Sequence, residues 1–423
     1  MVQYSYMIPL DRTRADLPRG GPAGYRYEAR PRGVVITVLS WSRRLTVIAL
    51  VVALAAGVLF PARRALGQGA PIKIGTVFAV TGPASSLGKP EKDTATMLQA
   101  QLAGTPIGGR PVQLITYDSE TDPTKAVLLI KKAVTEDNVV AVVGGTTSPE
   151  SQAMADYAMS AETPFMSVAA STTLSVPSRA WVFQMPQRND VAAATAMQYL
   201  LALHVKTFAF LYRNDDFGQD GLVALRTYGL HQGITLVDTE PFAATDTDLS
   251  VQVARARVKN PDAMVVWSTP PTASIAAKNI RQLGMKTPIV ESHGIANKAF
   301  IQLAGPAADG VVFPSGKLLV VDKLPAGDPQ KALLEKYAKD FEAANKYAAN
   351  TFGGHAFDGL TMLLDAIRHV GPDKAKIREY LEHLKGFVGT GGVFNLSPQN
   401  HNGLTTKDMV LVVIKNGNWD IWK

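Results

Sequence analysis

The sequence predicts an α/β protein made of two doubly wound lobes. From Pro71 onward, short runs of β-branched residues alternate with longer segments of helical periodicity, which is typical of βα units around parallel sheets. The alternation breaks at residues 183–190 and then restarts, which predicts a second lobe of the same kind. A chain of 423 residues, 46% of them hydrophobic, is longer than one compact core usually supports and has enough apolar material for two.

The first lobe is predicted to hold a parallel sheet flanked by helices. Its predicted strands are 72–80, 112–117, 139–143 and 164–168. The helices predicted between them are 90–102, 123–137 and 150–161. Because a helix separates each strand from the next, the connections suit parallel strands.

The second lobe repeats the same alternation. Its predicted strands are 207–212, 235–240, 263–267 and 288–290, and its predicted helices are 191–203, 219–232, 249–259 and 272–283. Beyond the apolar run 311–314, the periodicity predicts helices at 329–347, 353–370 and 374–384. The tail predicts a β-hairpin that turns at Asn416-Gly417-Asn418.

The excess of basic over acidic residues lies in the first 70 residues of the chain. A net charge of +7 ordinarily suggests nucleic acid or a membrane surface as the partner. Of the 43 basic and 36 acidic residues, ten Arg and only three acids lie in residues 1–70, which leaves 33 of each sign in the remainder. The body of the protein is therefore neutral, and we expect no nucleic-acid partner.

Residues 1–70 are interpreted as a leader that contains a signal peptide. Arg43-Arg44 precedes the uncharged run 45–60, and small residues follow, with cleavage expected between Gly67 and Pro71. The alternative is a membrane anchor, but the sixteen residues of the run fall short of the roughly 20 that span a bilayer. We expect an exported protein, with the general secretory route favoured over twin-arginine export.

Three predicted strands end in turns rich in small hydroxyl residues. These turns contain Ser85 and Ser86, then Thr147 and Ser148, then Ala169, Ala170 and Ser171. Parallel strands place such turns at one sheet edge, where helix N-termini offer free N–H groups and the positive end of a dipole. The turns predict a site for an anion, with ordinary helix capping by Ser and Thr as the alternative.

The second lobe offers three further candidates at predicted strand ends. His293 and Phe217 each follow a strand and are expected to face the same cleft, while Trp267 is either part of its wall or a core residue. The alternatives are a histidine with satisfied hydrogen bonds, and a turn in which Asp215 or Asp216 caps a helix while Phe217 packs inward.

Signatures of catalysis and cofactor binding are weak. The chain lacks G-x-x-x-x-G-K-[ST], H-E-x-x-H and G-x-S-x-G, and no G-x-G-x-x-G follows the first strand. Its lack of cysteine excludes disulfides and Cys-ligated metal. We therefore expect a binding protein without metal or cofactor; the alternative is an exported hydrolase that uses His293 with a serine.

A set of short runs appears along the chain in a characteristic order. The runs are Ile72-Lys73-Ile74-Gly75, Thr81-Gly82-Pro83, residues 107–112, Tyr117-Asp118, Asp122-Pro123, Val143-Gly144-Gly145, Phe217-Gly218, residues 281–284 and residues 304–310. Together they resemble the type I periplasmic solute-binding proteins of ABC transporters, especially the branched-chain amino-acid-binding (Leu/Ile/Val-binding) receptors. The resemblance extends from Pro71 to about Lys423.

The resemblance implies two Rossmann-like lobes joined by three hinge crossovers that close on a ligand. It implies lobe 1 at 71–188 plus 317–404, and lobe 2 at 189–316 plus 405–423. It further implies a periplasmic, monomeric receptor that delivers a small molecule to an ABC permease. A sensory receptor module is a third possibility.

The resemblance also assigns roles to residues, and it shows one departure. Ser148 and the turn Ala169-Ala170-Ser171 match the family's carboxylate-binding positions, and Phe217 matches the aromatic cover. The family Glu that holds the α-ammonium group of an amino acid aligns with His293, and Glu291 is the nearby acid that a shifted alignment would place there.

Two further family aromatics align with Leu87 and Pro270. Because a desolvated ammonium group needs a negative charge or several acceptors, loss of the Glu makes an amino-acid ligand less favourable. We therefore expect an aromatic or short-chain organic acid, with a branched-chain or other amino acid as the alternative.

Overall fold

The computed structural model describes residues 69–423, and the predicted signal peptide with its apolar run 45–60 lies outside them. Within 69–423, no helix is both long enough and apolar enough to cross a membrane.

The first lobe contains a five-stranded parallel sheet. Its strands are β1 Ile72–Phe78, β2 Val112–Asp118, β3 Ala141–Gly144, β4 Phe165–Ser167 and β5 Val182–Gln184. The helices between them are α1 Ser85–Leu102, α2 Pro123–Thr135 and α3 Ser148–Ser160. The strand order is β2-β1-β3-β4-β5, and every neighbouring pair is parallel. The four predicted strands are confirmed, and β5, only three residues long, was not predicted.

The second lobe begins with five more parallel strands. They are β6 Thr207–Arg213, β7 Thr235–Phe242, β8 Ala263–Trp267, β9 Ile289–Glu291 and β10 Val312–Gly316. The accompanying helices are α4 Asn189–Ala202, α5 Asp216–Gln232, α6 Ser250–Val258, α7 Thr272–Gln282 and α8 Lys298–Ala304.

The rest of the chain completes both lobes. It forms α9 Lys331–Asn345, α10 Thr351–Val370, α11 Lys374–Glu382, β11 Lys385–Val388, β12 Val393–Asn395, β13 Met409–Lys415 and β14 Asn418–Ile421. Buried residues of α10 such as Leu360 share a core with Ile74 and Val143, so this helix belongs to the first lobe. Strands β13 and β14 form the predicted hairpin and extend the second sheet to the order β14-β13-β10-β9-β8-β6-β7.

The chain passes between the lobes three times, after β5, after β10 and after β12. Helices cover both faces of each sheet, which explains why the central strands β3 and β8 are buried along their whole length. The predicted two-lobe α/β class is confirmed. The exact lobe limits given above remain a prediction.

Five helices begin earlier than the sequence indicated. Helix α1 begins at Ser85 rather than Pro90, α3 at Ser148 rather than Glu150, and α5 at Asp216 rather than Gln219. Helices α4 and α10 each begin two residues before their predicted starts, at Asn189 and Thr351. Proline removes one hydrogen bond near a helix start without ending the helix, so Pro90 was a poor boundary marker. The earlier start matters at α3 because it makes Ser148 the first helical residue.

Candidate functional site

A cavity lies between the strand-end turns of the two lobes. About 530 Å³ of space there is not filled by protein atoms, counting the solvent at its open side. The first lobe contributes Leu87, Thr146, Thr147, Ser148, Val168, Ala169, Ala170, Thr351, Phe352 and His355. The second lobe contributes Arg213, Phe217, Thr269, His293, Gly294, Ala296 and Ser315, and the crossovers add Pro186, Gln187 and Gly316.

The turn before α3 is held by its own side chains. Gly145 has φ +70°, and a Cβ there would lie 2.2 Å from the Ser151 Oγ, which donates to the Gly145 carbonyl at 2.6 Å. Thr147 and Glu150 form a capping box at the helix start. Capping is thus done by Thr147, and the buried Ser148 Oγ has no hydrogen-bond partner.

The second hydroxyl turn is oriented by a buried glutamine. Gln184 Nε2 donates to the carbonyls of Ala169 at 2.8 Å and Ser171 at 2.9 Å. With those carbonyls held on one side, the Ala170 N–H makes no hydrogen bond to any residue in 69–423.

At the start of α3, Pro149 has no N–H, the Glu150 N–H donates to Thr147 Oγ1 at 3.5 Å, and the Ser151 N–H donates to the Thr147 carbonyl at 2.9 Å. The Ser148 N–H makes no hydrogen bond within residues 69–423, so each turn brings one free backbone donor to the cavity wall.

Arg213, the last residue of β6, is a buried cation in the cavity wall. Its side chain is 7% exposed, and its Nη1 donates to Thr269 Oγ1 at 2.7 Å. Its Nε is at ion-pair distance from the Asp215 carboxylate but lacks hydrogen-bond geometry, and the guanidinium lies 5.7 Å from the Phe217 ring centroid. Arg213 was not among the site residues predicted from the sequence. Its place directly after the predicted strand 207–212, in the neutral body of the protein, was the signal that could have indicated it.

Acidic side chains lie behind the cavity wall and not in it. Thr146 Oγ1 donates to Glu91 at 2.5 Å, while Ser119 and Thr147 donate to Glu150 at 2.5 and 2.6 Å. Burial raises the pKa of Glu91 well above its usual value and also raises the pKa of Glu150. Among the lining residues that the structure describes, none is Asp or Glu.

Phe217 lines the cavity and is supported from behind by Trp267. Asp215 Oδ1 accepts from the N–H groups of Phe217 and Gly218 at 3.1 Å, so Asp215 does cap α5. The fully buried Trp267 stacks on Phe217 with ring centroids 6.3 Å apart and donates to Asn189 at 3.0 Å. Phe217 thus lines the cavity beside a turn that Asp215 caps, and Trp267 is a core residue outside the lining.

His293 faces the cavity from the second lobe. It follows β9, is 7% exposed, and packs edge-on against Trp267 at 6.0 Å. Burial lowers its pKa to about 4, and the nearby Gln187 carbonyl only partly opposes this. Neither ring nitrogen makes a hydrogen bond of normal geometry. Glu291 is buried but does not line the cavity, and burial raises its pKa well above the usual value.

His355 faces the cavity from the first lobe and was not predicted. It is the fifth residue of α10, is 6% exposed, and its Nδ1 has no hydrogen-bond partner. Burial lowers its pKa to about 3, and the charge interaction with His293 adds to this shift. Nothing in its local sequence marks it, because its position depends on how α10 packs.

Seven of the twelve predicted site residues line the cavity and five do not. The cavity includes Leu87, Thr147, Ser148, Ala169, Ala170, Phe217 and His293. Ser85 and Ser86 line a separate groove, Pro270 lines a recess beside Arg213, and Ser171 and Trp267 are buried outside the lining. Ser171 contacts its neighbour Thr173 instead, at 3.0 Å between hydroxyls.

Comparison with known sequences places this architecture in a family. The chain belongs to the periplasmic binding proteins, whose family model, described as "Periplasmic binding protein", matches residues 71–418. It is similar to the Leu/Ile/Val-binding protein of Escherichia coli K12, at 25% identity over 335 residues, 78% of this chain and 88% of that protein. It is also similar to the Leu/Ile/Val/Thr-binding protein of Salmonella typhimurium LT2, at 26% identity over 316 residues, 74% of this chain and 83% of that protein.

Solved structures have the same fold. An extracellular ligand-binding receptor from Rhodopseudomonas palustris HaA2 matches with a TM-score of 0.80 and 28% identity, covering 84% of this chain and 100% of that one. LivJ of Streptococcus pneumoniae, solved in complex with isoleucine, matches with a TM-score of 0.73 over 83% of this chain and 98% of that one. Its 22% identity shows the shared fold alone. The resemblance stated from the sequence is thus confirmed.

Proposed function

We propose that the protein is the periplasmic receptor of an ABC importer and that it closes its two lobes on a small organic carboxylate. The observation that carries the proposal is the composition of the cavity wall. The wall has a free Ser148 hydroxyl and a buried Arg213 guanidinium, and none of its described residues is acidic. Hydroxyl, backbone N–H and guanidinium groups are the donors that stabilise a carboxylate.

The carboxylate is proposed to bind at the first-lobe turns. Ser148 supplies a buried hydroxyl without another partner, and the Ala170 N–H lies in the adjoining turn. Arg213 lies close enough to this region to lower the pKa of Glu150, which partly opposes the effect of burial on that group. A ligand carboxylate there would give the guanidinium a second anionic partner beside Asp215.

The rest of the wall favours a ligand without an α-ammonium group. A buried ammonium group is stable only beside a negative charge or several acceptors. Glu91 and Glu150 are bonded within the turns behind the wall, and burial raises the pKa of both, which favours their neutral forms. Apolar groups such as Leu87, Phe217 and Phe352 line the remaining space and suit an aliphatic or aromatic body.

The named relatives support a second candidate, a branched-chain or other amino acid. Those from E. coli and S. typhimurium are named for leucine, isoleucine and valine, so the family likeness favours this ligand more directly than an organic acid. The cavity offers a physical route, because neutral His293 and the Thr269 hydroxyl can accept from an ammonium group. The two candidates therefore differ in one chemical group, the α-ammonium.

Ligand capture by lobe closure is supported by a polar contact across the cleft. Asp220 of the second lobe accepts from the N–H of Thr172 in the first lobe at 2.7 Å. Such a contact forms only when the lobes are together. A ligand that contacts both walls therefore shifts the population toward the closed form.

A binding role is favoured over the hydrolase alternative. Nucleophilic catalysis needs a serine within hydrogen-bond reach of a base. The Ser148 Oγ and both nitrogens of His293 lack partners, so these two candidates do not form such a pair. Export with removal of the leader and delivery to a membrane permease complete the proposal.

A thermal-shift screen followed by calorimetry tests the function. The protein without its leader is screened against the proteinogenic amino acids and against aliphatic, aromatic and dicarboxylic acids. We expect the largest stabilisation from a monocarboxylic acid, released unchanged when the complex is denatured. A preference for leucine, isoleucine or valine would establish the second candidate, and recovery of an altered ligand would establish an enzyme.

A further inference from the structure

Two histidines from opposite lobes face the same cavity with unused hydrogen-bonding groups. His293 lies in the turn after β9 in the second lobe, and His355 lies in the second turn of α10 in the first. Their exposures are 7% and 6%, and no hydrogen bond of normal geometry reaches His293 Nδ1, His293 Nε2 or His355 Nδ1, with the Gln187 carbonyl near the His293 ring. Because buried polar atoms are almost always paired, three free ring nitrogens around one cavity indicate a ligand group that pairs with them.

The environment keeps both imidazoles neutral. Burial lowers the pKa of His293 to about 4 and that of His355 to about 3, and the charge interaction between the rings contributes to the second shift. A neutral imidazole has one N–H donor and one acceptor nitrogen. The pair therefore offers the cavity both a donor and an acceptor, one on each lobe.

Three ligand groups need to be compared. A metal ion is disfavoured because residues 69–423 contain no cluster of three or more His, Cys, Asp or Glu side chains, and protein-held metals usually need at least three. A second carboxylate would be stabilised best by a charged imidazole, and burial opposes that charge. A hydroxyl both donates and accepts, so it matches one acceptor and one donor without any charge.

We propose that His293 and His355 determine specificity by jointly binding a hydroxyl group of the ligand, remote from its carboxylate. One imidazole nitrogen accepts a hydrogen bond from the ligand hydroxyl, and an N–H of the other imidazole donates a hydrogen bond to the hydroxyl oxygen. The inference rests on the proposed function as a carboxylate receptor and narrows the ligand class to hydroxy acids. Because each lobe provides one imidazole, the hydroxyl also links the lobes in the closed form.

Calorimetry with two matched series tests this inference. One series is benzoate, 4-hydroxybenzoate and terephthalate; the other is butyrate, 4-hydroxybutyrate and succinate. In at least one series we expect the hydroxy acid to bind about tenfold or more tightly than the plain acid, because the plain acid leaves buried ring nitrogens unpaired. The heat should not depend on the ionisation enthalpy of the buffer, because a hydroxyl takes up no proton.

Variants separate the two histidines from the general fold. His293→Phe and His355→Phe should remove the advantage of the hydroxy acid while changing the affinity for the plain acid by less than about threefold. His369→Phe, on the exposed side of the same α10 helix, is the matched control and should keep the full advantage. Melting temperatures within a few degrees of the parent protein establish that each variant is folded.

Each alternative outcome is informative. Equal affinity for hydroxylated and plain acids overturns the inference and leaves the carboxylate receptor intact. Tightest binding of terephthalate or succinate, with a buffer-dependent heat, overturns it in favour of charged imidazoles and a second carboxylate. Binding of leucine or valine while no acid of either series binds overturns the proposed function together with the inference.

Discussion

The first-lobe wall of the cavity and the second-lobe wall opposite it use different kinds of group. The first presents backbone N–H groups and the Ser148 hydroxyl from two turns that Gly145 and Gln184 hold in shape. The second presents side chains, chiefly Arg213 and His293. Backbone donors suit any carboxylate, whereas side chains change with each substitution. The difference teaches that side chains, those of the second wall together with His355 of the first lobe, decide what the rest of the ligand must be.

The largest expected effect comes from removing the cation of the second wall. Arg213→Met should weaken binding of the preferred carboxylate by about 3 kcal/mol, a loss of more than a hundredfold, because it leaves Asp215 unpaired beside the ligand. Calorimetry measures the loss. The Arg213→Lys variant keeps the charge, so its affinity for the carboxylate should lie between those of Arg213→Met and the parent protein. A loss below threefold would show that Arg213 contacts no ligand anion.

A reversed specificity would sharpen the comparison most. His293→Glu restores an acid facing the ammonium position, so leucine should gain and 4-methylpentanoate should lose about 2 kcal/mol of binding free energy each. The neutral variant His293→Gln controls for size and should not favour leucine. If His293→Glu binds leucine and 4-methylpentanoate with the same affinities as the parent protein, the second wall does not select against an ammonium group.

The first wall is expected to contribute less per group. Ser148→Ala should weaken carboxylate binding by about 1 kcal/mol, or about fivefold, because it removes one neutral hydrogen bond. The free energy of unfolding should not change, since the Ser148 hydroxyl has no protein partner. Ser160→Ala, at the other end of α3, is the control. Unchanged carboxylate affinity in Ser148→Ala contradicts the assignment of this wall.

The smallest expected effect is a pH dependence of stability. The folded-state pKa values of His293 and His355, about 4 and about 3, are below the usual 6.5, so the unfolded chain binds more protons between those values. The free energy of unfolding should therefore decrease as the pH is lowered through this window. The expected loss is about 0.7 kcal/mol per histidine from pH 7 to pH 6.

The measurement is denaturant unfolding of the parent protein and of His355→Gln at both pH values. Asp358, whose pKa burial raises to about 7, acts in the opposite direction but is common to both proteins. We therefore expect the variant to be less sensitive to acid than the parent. Equal pH dependence would indicate that His355 is not held neutral in the folded state.

Most of the first wall could be predicted from the sequence, because local signals define it. The turns Gly144–Ser148 and Ala169–Ser171 follow strongly apolar strands, and parallel strands bring their carboxyl ends to one edge. Phe217 and His293 were found by the same argument. The short strand β5 and the hairpin of β11 and β12 were missed, since three or four residues give little periodicity.

The rest of the second wall and His355 depend on tertiary structure. The predicted strand 207–212 ends one residue before Arg213, and the burial of Arg213 against Thr269 and Phe217 brings together segments distant in sequence. His355 lies within a helix whose pattern predicts only an apolar face. Pattern analysis of one sequence finds strand-end residues, but it cannot place a helix side chain in a cleft formed by another lobe.

Leucine and 4-methylpentanoate differ only in the α-ammonium group, so their relative affinity tests the central claim directly. Isothermal titration calorimetry at pH 7 should show that 4-methylpentanoate binds at least as tightly as leucine, because the cavity wall that the structure describes has a guanidinium and no carboxylate. Leucine binding tenfold or more tightly would contradict the account and identify an amino-acid receptor.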